Sequence, residues 1–181
     1  MANIKQSNSV HLILGGARSG KSRFAEQIAQ QHDDVLYMAT AQPLDDEMSH
    51  RIAHHQRSRP SKWQTIEQPL HLAEALKQVW HEPKLILIDC LTLWLNNWLH
   101  QHQLEEWTEQ KNAFLSVISQ PRNWPVLVVS NEVGQGIVPL GELSRAFVDQ
   151  AGWLHQDIAQ VAKKVDFIVA GLPLHLKGDD K

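Results

Sequence analysis

The sequence predicts an α/β fold: a mostly parallel β-sheet with helices on both faces. Three observations lead there. Short aliphatic runs alternate with longer segments of helical periodicity, the pattern of βαβ units. The runs are apolar throughout rather than alternating, as parallel strands covered on both sides require. The first run leads into a glycine-rich loop and then a helical pattern, the context of a phosphate-binding loop.

Five runs read as strands: Val10–Leu14, Val35–Met38, Leu85–Ile88, Val126–Val129 and Asp166–Ala170, with Trp63–Ile66 as a short addition. Between them, Phe24 and Ile28 pair at i, i+4, and Leu72, Leu76 and Val79 run at i, i+4, i+7. Leu104, Trp107, Lys111, Phe114 and Ile118 follow the same period with one polar interruption. Leu143, Phe147, Leu154, Ile158 and Val161 mark a long C-terminal helical region with an expected break near Gly152.

The chain has 181 residues, which predicts a single nucleotide-binding domain over 1–181, with 1–9 and 178–181 frayed. Lys and Arg number 17 against 20 Asp and Glu, a net charge of −3, which argues against a nucleic-acid surface. Hydrophobic residues make up 43%, enough for a core and too many for a disordered chain. One cysteine precludes an internal disulfide and fits a reducing compartment. The apolar runs are too short to span a bilayer and the first residues lack a signal-peptide core, so the expectation is a cytoplasmic protein, not membrane-embedded.

Gly15-Gly16-Ala17-Arg18-Ser19-Gly20-Lys21-Ser22 fits G-x-x-x-x-G-K-[ST]. Glycines let backbone N–H groups wrap an anion, and the helix N-terminus adds its positive dipole end. Lys21 supplies a charge to the phosphates and Ser22 a hydroxyl to Mg²⁺. Leu85-Ile86-Leu87-Ile88-Asp89 reads as the partner strand, four aliphatics and then a carboxylate near the metal or its waters. Cys90 reads as a packed small hydrophobe. The N-K-x-D motif that reads guanine in switch-type GTPases is absent, and a motor would need more length and a basic surface. A compact kinase or transferase acting on a small molecule is left.

Leu44 to Pro60 reads as one helix, acidic in its first turn, basic in its last and stopped by Pro60. Helical spacing puts His50, His54 and Arg57 on one stripe, and Met48, Ile52, His55 and Arg59 on another. Three readings fit: a solvated helix with ordinary surface groups; a metal pair of His50 and His54, lacking the Glu of H-E-x-x-H; and a histidine nucleophile among phosphate-binding arginines. A neutral imidazole is nucleophilic near neutral pH and can hold a nucleotidyl group as a phosphoramidate, splitting transfer into two displacements.

Several segments together resemble the bifunctional adenosylcobinamide kinase / adenosylcobinamide-phosphate guanylyltransferases of cobalamin biosynthesis. They are GGARSGKSRFAE (15–26), VLYMATAQPLDDEM (35–48), RIAHHQRSRP (51–60), the W-x-T-x-E of Trp63 to Glu67, and SNEVGQGIVP (130–139). The pattern continues at Arg145, Phe147, Asp149, Gly152 and Gln156, and the match runs from about residue 11 to residue 177. HH-x-R-x-RP together with NEVG-x-GIVP is far more specific than the phosphate loop alone.

The resemblance implies a RecA-like P-loop NTPase fold and two reactions. The first is phosphorylation of the aminopropanol hydroxyl of adenosylcobinamide by ATP or GTP. The second is transfer of GMP from GTP to adenosylcobinamide phosphate, releasing pyrophosphate and giving adenosylcobinamide-GDP. It implies a guanylyl-histidine at His55, Mg²⁺ at Ser22 and Asp89, and a homotrimer. Nucleotide contacts fall on Gly15, Gly16, Ala17, Arg18, Ser19, Gly20, Lys21, Ser22, Ala39, Thr40, Ala41, Gln56, Arg57, Ser58, Arg59, Glu67 and Asp89. Several members carry Glu where Asp89 stands. Sequence does not decide whether Asp89 assists the metal or deprotonates the acceptor hydroxyl, and a P-loop kinase without a covalent histidine step is the alternative. Trp94 and Trp98, at i, i+4, read as core or interface packing or as an apolar platform for the macrocycle. Asn131 to Gly134 ends the fourth run, where open α/β sheets bind ligands.

Overall fold

The computed structural model describes residues 9–43, 45–100 and 104–178, without the side chains of Arg51, His54, Ser58 and Leu104. The terminal segments expected to fray lie outside this range except Ser9 and Gly178. Seven strands form one sheet: β1 (Val10–Gly15), β2 (Val35–Ala39), β3 (Gln64–Glu67), β4 (Leu85–Asp89), β5 (Val126–Asn131), β6 (Lys164–Val169) and β7 (Leu172–Lys177). Their spatial order is β3-β2-β4-β5-β1-β6-β7. β1 to β6 pair in parallel, and β7 closes the edge antiparallel to β6.

Successive residues of the central strands enter two separate cores, one on each face, which explains their unbroken aliphatic runs. Leu12, Leu36, Met38, Ile86, Ile88, Val126 and Val128 pack on one face with α3 (Leu72–Val79), α4 (Leu91–His100), α5 (Leu104–Ile118) and α6 (Glu142–Val161). Ile13, Tyr37, Leu87, Leu127 and Val129 pack on the other with α1 (Lys21–Ala29). Helices thus cover both faces, as expected.

The remaining helix, α2 (Asp46–Ser58), is shorter than the expected 44–60. Asp45 caps it, accepting from Met48 N at 2.7 Å, and Arg59 is already extended, as a residue before proline tends to be. The polar interruption in the α5 stripe has a partner: Lys111 Nζ reaches Asp157 Oδ2 on α6 at 2.9 Å. The break expected near Gly152 is absent, and α6 runs unbroken for 20 residues. A lone helical glycine costs only about 1 kcal/mol, which packing of Ala151, Leu154 and Ile158 outweighs.

Strand β7 has no counterpart in the sequence reading. Its hairpin turns through Ala170 (φ 52°) and Gly171 (φ 81°), both left-handed. Ala-Gly lacks the Asn or Asp that signals such a turn, and Pro173 suits only an edge strand. Trp94 and Trp98 are buried, and both indole N–H groups donate to the carbonyl of Leu70, at 2.6 and 3.3 Å. Trp94 packs edge-on against Trp107 at 4.8 Å. They are core, which overturns the platform reading.

Two buried histidines tie elements together: His11 on β1 lies 2.7 Å from Asp166 on β6, and His155 on α6 lies 2.8 Å from Ser130 on β5. Burial is the leading influence on both and lowers both below the ordinary 6.5; the nearby carboxylates, Asp166 and Glu132, oppose it only in part. The unfolded chain therefore takes protons that the fold refuses, and stability falls as pH drops through and below about 6.5. Thermal melting across this range is expected to show that loss, and His155→Gln to show a shallower one.

Candidate active site

β1 ends at Gly15, where there is no room for a side chain. A Cβ there would lie 2.5 Å from Ser19 Oγ and 2.7 Å from the carbonyl of Ile168. Gly15 accepts at its carbonyl from Glu132 N at 3.0 Å, which ties the loop to the end of β5. The chain then passes through Arg18 at φ 56° and Gly20 at φ 96° before α1 begins. Ser19 N donates to Gly16 O at 3.2 Å, and Gly171 N donates to Ser19 O at 2.8 Å, so the β6–β7 turn braces the loop from outside. Lys21 opens α1, 7% exposed, with Nζ 3.1 Å from Gly16 O. Ser22 follows it.

Lys21 and Ser22 face a cleft of about 330 Å³ over the carboxyl ends of β2, β3, β4 and β5. On the strand side it is lined by Tyr37, Ala39, Asp89 and Asn131, and on the helix side by Met48, Ile52, His55, Gln56 and Arg59. The α2 stripe of Met48, Ile52, His55 and Arg59 therefore turns inward. Arg57, from the other stripe, is exposed and donates from Nε to Ala53 O at 3.1 Å, outside the cleft. His50 Nδ1 sits 2.6 Å from Asp46 O of its own helix, and among the described residues no group of His, Cys, Asp or Glu is built to hold a metal.

Of the other expected contacts, Ala41 and Glu67 also line the cleft, and Gln56 Nε2 donates to Glu67 Oε1 at 3.3 Å. Gly15, Gly16, Ala17, Arg18, Ser19 and Gly20 form the loop rather than the lining. Thr40 is fully buried behind the cleft: its hydroxyl donates to Cys90 O at 2.7 Å and accepts from Cys90 N at 2.9 Å. The side chain of Ser58 lies outside the described residues, as does that of His54.

Sequence reasoning missed Tyr37. It is the only tyrosine, 2% exposed, in an otherwise aliphatic strand. A buried phenol needs a hydrogen-bond partner, and that was the available signal. The partner is Asp89: Tyr37 Oη donates to Oδ2 at 2.9 Å. Arg59 lies over the same ring, its Cζ 3.5 Å from the centroid. Burial, then Asp89, pushes the Tyr37 hydroxyl far above its ordinary range, so it stays a donor. Burial and then Asp89 likewise raise Glu26 on α1 and the Cys90 thiol. The cleft thus holds two cations, Lys21 and Arg59, and two strand-end carboxylates, Asp89 and Glu67. A hydroxyl and a carboxylate on the same cleft suit Mg²⁺, which takes few protein oxygens and completes its shell with phosphate and water.

A family model for cobinamide kinase / cobinamide phosphate guanyltransferase matches residues 11–176. The chain belongs to that family. Membership makes it a transferase of adenosylcobalamin biosynthesis with two activities, cobinamide kinase and cobinamide phosphate guanyltransferase. It is 50% identical over 169 residues to the bifunctional adenosylcobalamin biosynthesis protein CobP of Pseudomonas aeruginosa, covering 93% of this chain and 97% of that one. It is 40% identical to the corresponding CobU protein of Escherichia coli K12, covering 92% and 98%. Solved structures share the fold at low identity. A type III secretion system ATPase of pathogenic bacteria aligns with TM-score 0.59 at 8% identity, over 93% of this chain and 57% of that one. The PH0250 protein of Pyrococcus horikoshii aligns with TM-score 0.55 at 9% identity, over 96% and 88%. The fold is that of a P-loop NTPase. No helix among the described residues is long and apolar enough to cross a membrane.

Because a Cβ at Gly15 meets the Ile168 backbone, Gly15→Ala must displace the loop. A fluorescent GTP analogue is expected to bind at least about tenfold more weakly to Gly15→Ala, the loss of one good contact to a charged group.

Proposed function

We propose that this enzyme phosphorylates adenosylcobinamide with ATP or GTP and then guanylylates the product through a covalent intermediate on His55. The observation that carries this reading is the shared cleft, with Lys21, Ser22 and Asp89 on one wall and the inward stripe of α2, including His55, on the other.

In guanylylation, Lys21 and the loop N–H groups hold the β- and γ-phosphates, so pyrophosphate leaves from the charge-stabilised end. A nitrogen of His55 attacks the α-phosphorus, a P–N bond forms, and the bond to the pyrophosphate oxygen breaks. The phosphate oxygen of adenosylcobinamide phosphate then attacks the same phosphorus and frees His55, giving adenosylcobinamide-GDP. Arg59, at the C-terminal end of α2, stabilises charge at the α-phosphate. Ser22 and Asp89 would hold Mg²⁺, which would supply charge neutralisation of the phosphates. Ala39, Ala41, Gln56 and Glu67 line the space left for the rest of the nucleotide. In the kinase reaction the same loop holds the nucleotide while the acceptor hydroxyl faces the γ-phosphate.

We assign both reactions to the cytoplasm and to a homotrimer. What supports assembly is the segment 137–143, where Ile137 and Leu140 are each 97% exposed and Val138 and Leu143 are also out. Light scattering on the purified protein is expected to give three times the chain mass, and a monomer would refute the trimer.

The covalent step is tested by separating the two activities. His55→Ala is expected to lose guanylyl transfer by at least about 10³-fold while kinase activity changes by no more than a few-fold. His54→Ala should keep both. Retained guanylyl transfer in His55→Ala would leave a P-loop kinase and transferase without a histidine intermediate.

A further inference from the structure

Asp89 ends β4 and Arg59 follows α2, so two opposite charges from distant parts of the chain line one cleft. In a partly buried site, such charges gain by closing onto each other as an ion pair. Among the described residues no ion pair joins them; each instead meets Tyr37. Its hydroxyl takes one carboxylate oxygen, Oδ2, and its ring takes the face of the guanidinium. Both contacts spare the groups a ligand needs. Asp89 Oδ1 has no hydrogen bond among the described residues. A guanidinium held by its face keeps its N–H edge open, and Arg59 Nε is buried without a partner among the described residues. Tyr37 is itself braced: Trp63 stacks on it at 6.5 Å, with the ring planes 22° apart.

We propose that Tyr37 is a positioning residue for phosphate-group transfer, holding Asp89 through its hydroxyl and Arg59 through its ring so that neither charge neutralises the other. One substrate feature suits both: a nucleotide phosphate chain carrying a divalent cation, with the cation on Asp89 and the phosphate oxygens on Arg59. This rests on the reading of Asp89 as the metal carboxylate. Loss of the phenol leaves Asp89 free to turn onto Arg59, and the site collapses into the ion pair that Tyr37 prevents.

The two contacts separate by substitution. Tyr37→Phe keeps the ring and removes the hydroxyl; Tyr37→Leu removes both. The readout is Mn²⁺ affinity by electron paramagnetic resonance, in the presence of a GTP analogue whose α,β-bridging oxygen is a methylene, beside a thermal melt of each variant. Tyr37→Phe is expected to weaken Mn²⁺ about tenfold, the loss of one hydrogen bond to a charged group. In an Asp89→Asn background the same change should have no further effect on Mn²⁺. Tyr37→Leu should in addition weaken metal-free binding of the analogue, and that extra loss should vanish in Arg59→Met. A merely structural tyrosine would lower the melting temperature and leave Mn²⁺ affinity unchanged. Unchanged affinity in Tyr37→Phe, with Asp89→Asn clearly weakened, overturns the positioning role alone. Unchanged affinity in Asp89→Asn overturns the metal reading of Asp89, and the positioning role with it.

Discussion

At Gly15 the chain leaves the sheet through a space that admits no side chain, and the course of the glycine-rich loop up to Lys21 depends on that passage. The residue is pressed between Ser19 and the Ile168 carbonyl of β6, while its own carbonyl is held by Glu132 N beyond β5. The loop turns through the left-handed Arg18 and Gly20 and delivers Lys21 as the first residue of α1. The β6–β7 hairpin completes the seat: Gly171 bonds the Ser19 carbonyl, and a side chain at Gly20 would stand 3.1 Å from Gly171 Cα. The turn into the edge strand thus braces the glycine-rich loop.

Opposite this fixed wall stands α2, held at its C-terminal end by Arg59 on the Tyr37 ring and by the turn into Pro60. The wall is strand ends and the start of α1; the facing side is a helix bearing Met48, Ile52 and His55. Such a division suits chemistry at two phosphorus atoms. In the proposed function the phosphate loop holds the nucleotide and the partners on the far side differ: an imidazole for the α-phosphorus, an acceptor hydroxyl for the γ-phosphorus.

Much of this was legible in the sequence, for identifiable reasons. Parallel strands buried on both faces write themselves as unbroken aliphatic runs, so β1, β2, β4 and β5 were found. The stripe arithmetic on α2 separated His55 and Arg59 from Arg57, because side-chain direction along a helix is fixed by spacing. Strand β7 escaped because its turn uses Ala170 where Asn or Asp would have announced a left-handed residue. Gly152 suggested a break that neighbouring packing on α6 overrides. Thr40 sits next to the cleft in sequence yet points into the β4–α4 junction, where Cys90 uses its hydroxyl twice. Tyr37 was passed over because a strand residue's partner depends on which strand lies beside it. The pairing of β2 with β4, Ala39 opposite Asp89, cannot be read along one chain.

The proposed guanylyl transfer turns on His55 as the carrier of GMP. Its most direct test is intact-protein mass spectrometry after brief exposure to GTP and Mg²⁺ without corrinoid, with peptide mapping under mildly basic conditions that preserve a phosphoramidate. The expected result is a single guanylyl adduct per chain, mapped to His55 and discharged by adenosylcobinamide phosphate. A protein that turns over both reactions yet carries no adduct, or carries it on another residue, would contradict it.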